Sequence, residues 1–245
     1  MKICAVQHRP IAGDIAANTA KHLKFIELAI AQSADLVFFP ELSLTGYEPC
    51  LAKSLATDKS DSRLDIFQQR SDARNIIIGV GLPISAGCEV QIGMVWFSPS
   101  GPRRDYAKQQ LHSDEVPFFV RGNGQLLLEA AGHTLAPAIC YESLQPKHAE
   151  DAANAGADIY LASVAKPAGV MAKAVLHYPA IARKHNLHVI MADCVGPSDN
   201  FVSVGQSAVW NNRGELLAQM DSESEGIIIL DTATGQASIR VSPNV

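Results

Sequence analysis

The chain has no long apolar run. None of its stretches approaches the roughly 18 uninterrupted apolar residues of a membrane-spanning helix. The opening Met1-Lys2-Ile3-Cys4-Ala5-Val6-Gln7 meets His8-Arg9-Pro10 too soon to serve as a secretory core. Cysteine is scarce: Cys4, Cys50, Cys88, Cys140 and Cys194 are odd in number, far apart and never spaced C-x-x-C. That pattern excludes a disulfide framework or a zinc ribbon and points to a reduced, cytoplasmic compartment. Charge is also thin, 18% of residues against roughly 25% in an average soluble domain. Twenty basic and twenty-five acidic side chains leave −5, with no global pull toward nucleic acid or an anionic membrane. Neither partner is expected.

Metal and nucleotide signatures are missing too. There is no H-E-x-x-H and no Gly-rich phosphate loop, so no metal or organic cofactor is expected. Gly79-Val80-Gly81 is too short for a nucleotide fingerprint and reads as strand glycines. Of eight histidines only His185 and His188 approach ligand spacing, at a helix–strand junction.

What remains is a chain rich in short buried strands. At 245 residues and 47% hydrophobic content it reads as one domain over residues 1–245. Apolar runs predict strands at Lys2–His8, Leu36–Phe39, Ile76–Gly81, Val90–Ser98, Arg103–Lys108, His133–Cys140, Asp158–Ser163, Leu187–Asp193, Gln206–Trp210, Glu215–Met220 and Gly226–Asp231. Helical spacing covers Ala17–Ser33, with Asp14 or Asn18 as its cap, then Leu64–Arg74 and Pro146–Ala155, followed by Gly156. Ala34-Asp35-Leu36-Val37-Phe38-Phe39 and Ala157-Asp158-Ile159-Tyr160-Leu161-Ala162 echo each other, each after a helix and before a polar loop. Helices interleaved with strands, then strands joined by hairpins, imply mixed α/β sheets.

Three polar residues stand just beyond buried strands: Glu41, Lys108 and Cys140. Strand ends can aim side chains into a shared crevice. Buried alone, Glu41 or Lys108 would cost free energy; together with a thiol they offset one another. A carboxylate, an ammonium and a thiol supply a proton acceptor, an oxyanion stabiliser and a nucleophile for amide hydrolysis. After Cys140 the run Tyr141-Glu142-Ser143-Leu144-Gln145-Pro146 predicts a sharp turn that offers the Tyr141 backbone N–H to an oxyanion. Spacing alone leaves open the plainer alternative of an exposed Glu, an exposed Lys and a buried structural Cys.

The segments Phe38-Phe39-Pro40-Glu41-Leu42-Ser43-Leu44-Thr45-Gly46-Tyr47, Asp105-Tyr106-Ala107-Lys108-Gln109-Gln110-Leu111-His112 and Ala136-Pro137-Ala138-Ile139-Cys140-Tyr141-Glu142-Ser143, in that order, resemble the nitrilase superfamily of carbon–nitrogen hydrolases. Gly156-Ala157-Asp158, Ala182-Arg183 with Asn186, Gly205-Gln206-Ser207 and Asn212-Arg213-Gly214 extend the likeness over nearly the whole chain. The resemblance implies a four-layer α-β-β-α sandwich with two mixed sheets, forming a homodimer or larger homo-oligomer. It implies a Glu41-Lys108-Cys140 triad, with Glu115 rather than its neighbour Asp114 in a supporting role. It puts pocket walls, and so substrate contacts, at His177, Tyr178 and Arg183. The substrate class implied is a small amide or N-carbamoyl amine, cleaved through an acyl-thioester. Rival readings are an N-acyltransferase using the same thioester, a metal-dependent phosphoesterase on a similar sandwich, and a non-catalytic binding protein. The chain departs from the family pattern at His112, at Trp210-Asn211, and at Ser163–Gly169, which lacks a frequent tryptophan and carries Lys166.

Overall fold

The computed structural model describes residues 1–242; residues 243–245, the end of the expected domain, lie outside the described residues. The elements are β1 (Lys2–Gln7), α1 (Ile15–Ala31), β2 (Leu36–Phe38), α2 (Pro49–Leu55), α3 (Asp65–Arg74), β3 (Ile77–Ala86), β4 (Glu89–Phe97) and β5 (Arg104–Ala107). They continue with β6 (Leu128–Ala130), β7 (His133–Ile139), α4 (Pro146–Asn154), β8 (Ile159–Val164), α5 (Ala168–His185) and β9 (His188–Asp193). The chain closes with β10 (Val195–Ser198), β11 (Phe201–Val204), β12 (Ala208–Trp210), β13 (Leu216–Gln219), β14 (Gly226–Asp231) and β15 (Gln236–Val241).

Two sheets carry the fold. One runs β15-β14-β1-β2-β3-β4-β5 and the other β13-β12-β9-β8-β7-β6. Each has three parallel strands at its centre (β1, β2 and β3; β7, β8 and β9) and antiparallel strands on both sides. Parallel strands buried on both faces read as continuous apolar runs, which is why Leu36-Val37-Phe38 and Ile159-Tyr160-Leu161 show no alternation. Ile3, Phe38, Met94 and Trp96 of the first sheet pack against Ile139, Leu161, Ile190 and Val209 of the second. The outer face of the first sheet takes Phe25, Ile26 and Phe67 from α1 and α3. The outer face of the second takes Ala149, Ala152, Met171, Tyr178 and Ile181 from α4 and α5. The layers are therefore α-β-β-α, as expected.

Most predicted elements are present, with ends displaced by a residue or two. Asp14 caps α1, its side chain accepting from the Ala17 N–H at 2.9 Å. The strand from Ile76 extends through Pro83 to Ala86 because β4 pairs with it along its length. The sequence pattern does not show helix α2, the short strand β6, the β10–β11 hairpin or the edge strand β15. Among the described residues no helix is long and apolar enough to cross a membrane.

Candidate active site

Glu41 follows directly from how β2 ends. Phe39 still donates to Gly79 O at 2.9 Å, but Pro40 has no N–H and the ladder stops. The chain turns through Leu42, in the left-handed region at φ 49°, and Leu44 N–H returns to Gly81 O at 3.0 Å. Gly81 lies under this turn: a Cβ there would sit 2.4 Å from Pro40 O and 2.8 Å from Leu42 N. Only glycine lets the two backbones approach so closely. His22 braces the same turn through Ser43 Oγ at 3.0 Å, and Ser163 Oγ of β8 reaches across the sandwich to Phe39 O at 2.8 Å.

Lys108 leaves the end of β5 and is fully buried. Its Nζ donates to Glu41 Oε1 at 2.7 Å and to Glu115 Oε1 at 2.6 Å. Glu115 in turn accepts from Tyr47 OH at 3.0 Å and from the His112 backbone N–H at 2.8 Å. Asp114, its sequence neighbour, points outward with 79% of its side chain exposed. Glu115 is thus the carboxylate that meets Lys108.

Cys140 follows β7 at φ 44°, an uncommon conformation for a residue with a side chain and a form of strain that clusters at functional sites. Its N–H donates to Ser163 O at 3.0 Å, continuing the pairing with β8. Its carbonyl accepts from Ser143 N–H at 3.1 Å and from Ser143 Oγ at 2.6 Å. The Tyr141 N–H has no backbone acceptor among the described residues. Glu142, fully buried, ties this turn to the lysine loop: Oε1 accepts from Ile139 N–H at 2.8 Å and Tyr106 OH at 2.6 Å, and Oε2 from Gln109 N–H at 2.6 Å. Glu142 stands in the turn segment of the sequence, but nothing in its spacing marks this clamp.

Burial sets the proton positions. It pushes Glu41 up to about 7, against the pull of Lys108 and with Glu115 adding to the push. Glu41 Oε2 has no hydrogen-bond partner among the described residues and is free to take a proton. Burial opposes the charge on Lys108, but Glu41 and Glu115 outweigh it and hold the amine protonated. The Cys140 thiol is pushed up to about 12 by burial and by Glu41, while Lys166 and Lys108 pull it down. Cys4 is pushed equally far by its burial. What sets Cys140 apart is therefore its neighbours rather than the height of its pKa.

A cavity of about 630 Å³ opens over the sulfur. Cys140, Glu115, Lys166 and Ala165 line it together with Tyr47, Tyr141, Phe118, His177 and Phe201. Of the three expected wall residues, His177 is there and two are elsewhere. Tyr178 faces the core, where its OH meets Ser143 Oγ at 2.7 Å and its ring packs on Trp210. Arg183 is exposed near the end of α5 and donates to Arg213 O at 3.2 Å. One helix turn explains the split: Ala174, Tyr178, Ile181 and Ala182 share the buried stripe of α5, and His177 lies beside it. His112 also reaches the cavity, edge-on to Tyr141 at 5.3 Å between ring centres. Among the described residues no group of three or more His, Cys, Asp or Glu could hold a metal ion.

Comparison with known proteins bears on this arrangement. The carbon-nitrogen hydrolase family model matches residues 2–238. The chain is 28% identical over 242 residues to a nitrilase of Pyrococcus abyssi, covering 92% of this chain and 86% of that one. It is 25% identical to a glutamine-dependent NAD(+) synthetase of Acinetobacter baylyi over 91% of this chain, yet spans only 42% of that relative's length. It superposes with TM-score 0.85 and 25% identity on a variant of the amidase from Nesterenkonia sp. AN1, covering 94% of this chain and 89% of that one. That structure shows covalent addition of the acetamide moiety of fluoroacetamide at its active-site cysteine. This chain belongs to the carbon–nitrogen hydrolase family, whose members act on carbon–nitrogen bonds.

Proposed function

We propose that the chain is a cysteine-dependent amidase, cleaving the C–N bond of a small non-peptide amide or N-carbamoyl amine through a thioester on Cys140. One observation carries this reading: Lys108, wholly buried, bridges Glu41 and Glu115 close to a strained cysteine that lines the cavity. Relatives named as nitrilase and amidase support the reaction class, and a neighbour with an acetamide moiety on its active-site cysteine supports the sulfur as the attacking atom.

In the first half-reaction the Cys140 proton passes to Glu41 Oε2 and the sulfur attacks the amide carbon. The carbonyl π electrons move to oxygen. An ammonium has three donors; two of those on Lys108 hold carboxylates and the third is available to the oxyanion, with the Tyr141 N–H as a second donor. A single donor of this kind is typically worth about 3–4 kcal/mol in a dry site. Collapse of the adduct breaks C–N while Glu41 returns its proton to the leaving nitrogen. In the second half Glu41 takes a proton from water as its oxygen attacks the thioester, the C–S bond breaks, and the proton goes back to sulfur. Glu115 and Tyr47 orient Lys108 throughout.

Ammonia release from a panel of short primary amides, ω-amides and N-carbamoyl amines tests the reading, with Cys140→Ala as blank. Release by the native chain alone is the expected result. Product analysis with an added amine distinguishes hydrolysis from acyl transfer, and activity that persists in Cys140→Ala would overturn the assignment.

A further inference from the structure

We propose that Lys166 is a second catalytic cation, whose buried ammonium faces the charge that builds on Cys140 Sγ as its proton leaves for Glu41. The proposal rests on the reading of Cys140 as nucleophile and adds a residue outside the Glu41-Lys108-Cys140 set.

Lys166 stands two residues beyond β8 and is fully buried, yet it lines the cavity. Its Nζ lies 3.9 Å from Cys140 Sγ and 3.4 Å from Cys140 O. Both contacts are long, and among the described residues the ammonium forms no ion pair. A buried ammonium held so loosely is costly in a resting protein. A structural lysine in this position would have a carboxylate partner.

The nearest candidate does not serve. Asp193, at the end of β9, accepts the Lys166 backbone N–H at 3.0 Å through Oδ1, and its Oδ2 has no partner among the described residues. Burial pushes this carboxyl well above its usual range, which weakens the charge it can set against Lys166, and its bonded oxygen is taken by the backbone N–H instead of the ammonium. Tyr178 also faces Lys166 and is held neutral by burial. The other acidic groups acting on it are Glu41 and the sulfur itself. Around the thiol, Glu41 and Glu115 balance Lys108 and Lys166, and removing Lys166 leaves a buried excess of negative charge. That excess opposes both the carboxylate form of Glu41 and the thiolate.

Lys166 therefore acts when sulfur is anionic: once as S–H gives its proton to Glu41 and the S–C bond forms, and again when C–S breaks and the electron pair returns to sulfur. Lys108, by contrast, is tied to both carboxylates. Strand β8 thus contributes a cation to the sulfur as β5 contributes one to the base.

Iodoacetamide alkylation of Cys140, followed by peptide mass mapping, reads the sulfur's reactivity without any amide substrate. Lys166→Met in the full chain is expected to slow this alkylation by about tenfold or more, the worth of one charge-assisted contact. The same variant is expected to lower kcat on a primary amide by a comparable factor with KM little changed, and Lys166→Arg to recover part of both. Lys166→Gln keeps a donor for Cys140 O without the charge, and it carries the test should Lys166→Met fail to fold. Alkylation of either folded neutral variant at the native rate would overturn the proposal. If the native chain releases no ammonia from any amide while Cys140 alkylation still depends on Lys166, the amidase reading falls and this pairing stands.

Discussion

The two sheets are built alike and equipped differently. At the head of each central strand an aspartate makes the same three bonds to its neighbours' backbones, and Asp158 in addition meets His133 Nδ1. Asp35 N–H donates to Lys2 O, Asp35 O accepts from Ile77 N–H, and its carboxylate takes the Lys2 N–H at 2.7 Å. Asp158 N–H donates to Thr134 O, Asp158 O accepts from His188 N–H, and its carboxylate takes the Thr134 N–H at 2.8 Å. The far ends of the two sheets meet in a bridge between His8 and Cys194. Around that junction the first sheet supplies Glu41 and Lys108, and the second supplies Cys140 and Lys166. A repeated strand–helix–strand scaffold, flanked by further strands, brings a carboxylate, a thiol and two ammonium groups together on the loops that follow its strands. The scaffold sets position, and the loops set chemistry.

Substitutions can probe that division. Cys140→Ala in the second sheet should abolish turnover, by about 10⁴-fold or more, with thermal unfolding near that of the native chain. Glu41→Gln in the first should cost about 10²–10⁴-fold, the range of one acid–base group; measurement of ammonia release checks both. Gly81→Ala touches no reacting atom, yet its Cβ would meet Pro40 O at 2.4 Å. Displacing Glu41 by even an ångström should lower kcat about 10²-fold.

A pH profile sharpens the comparison further. Glu41 must be a carboxylate to accept the thiol proton, and burial pushes its pKa from 4.5 to about 7. Below that point the base is protonated, so kcat/KM should rise through about pH 7 instead of being level from pH 5. Glu142→Gln keeps one acceptor oxygen but sets an amide N–H₂ against the donors that met the other, and should cost about 1–3 kcal/mol of stability, with kcat falling as the lysine loop and cysteine turn lose register. The smallest effects are expected at the repeated aspartates. Asp35→Asn and Asp158→Asn should each cost about 1 kcal/mol in denaturant unfolding and leave kcat unchanged. A large effect of only one would break the equivalence of the sheets.

Much of this was legible in sequence. Central parallel strands are apolar on both faces, so β2, β3, β7 and β8 stood out as runs, and polar residues past their ends exposed Glu41 and Cys140. Strand β15, with its alternating half-buried pattern on an exposed edge, lacked any such run. The β10–β11 hairpin was hidden by Gly196 and Pro197. Lys166 carried the same signal as Glu41, a charge just past a buried strand, but it registered only as a departure from family pattern. Tyr178 and His177 are adjacent in sequence and carry the same expectation; helical geometry sends one to the core and the other to the cavity. Sequence shows which elements end in polar residues, whereas side-chain direction depends on what packs behind them.

The claim on which all else depends is that Cys140 takes the acyl group. Acid quench during steady-state turnover of a short amide, followed by intact mass and peptide mapping, measures this directly. An acyl increment on Cys140 in the native chain, and none in Cys140→Ala, is the expected result. Steady ammonia release with unmodified Cys140, or an acyl group at exposed Cys50 or Cys88, would contradict it.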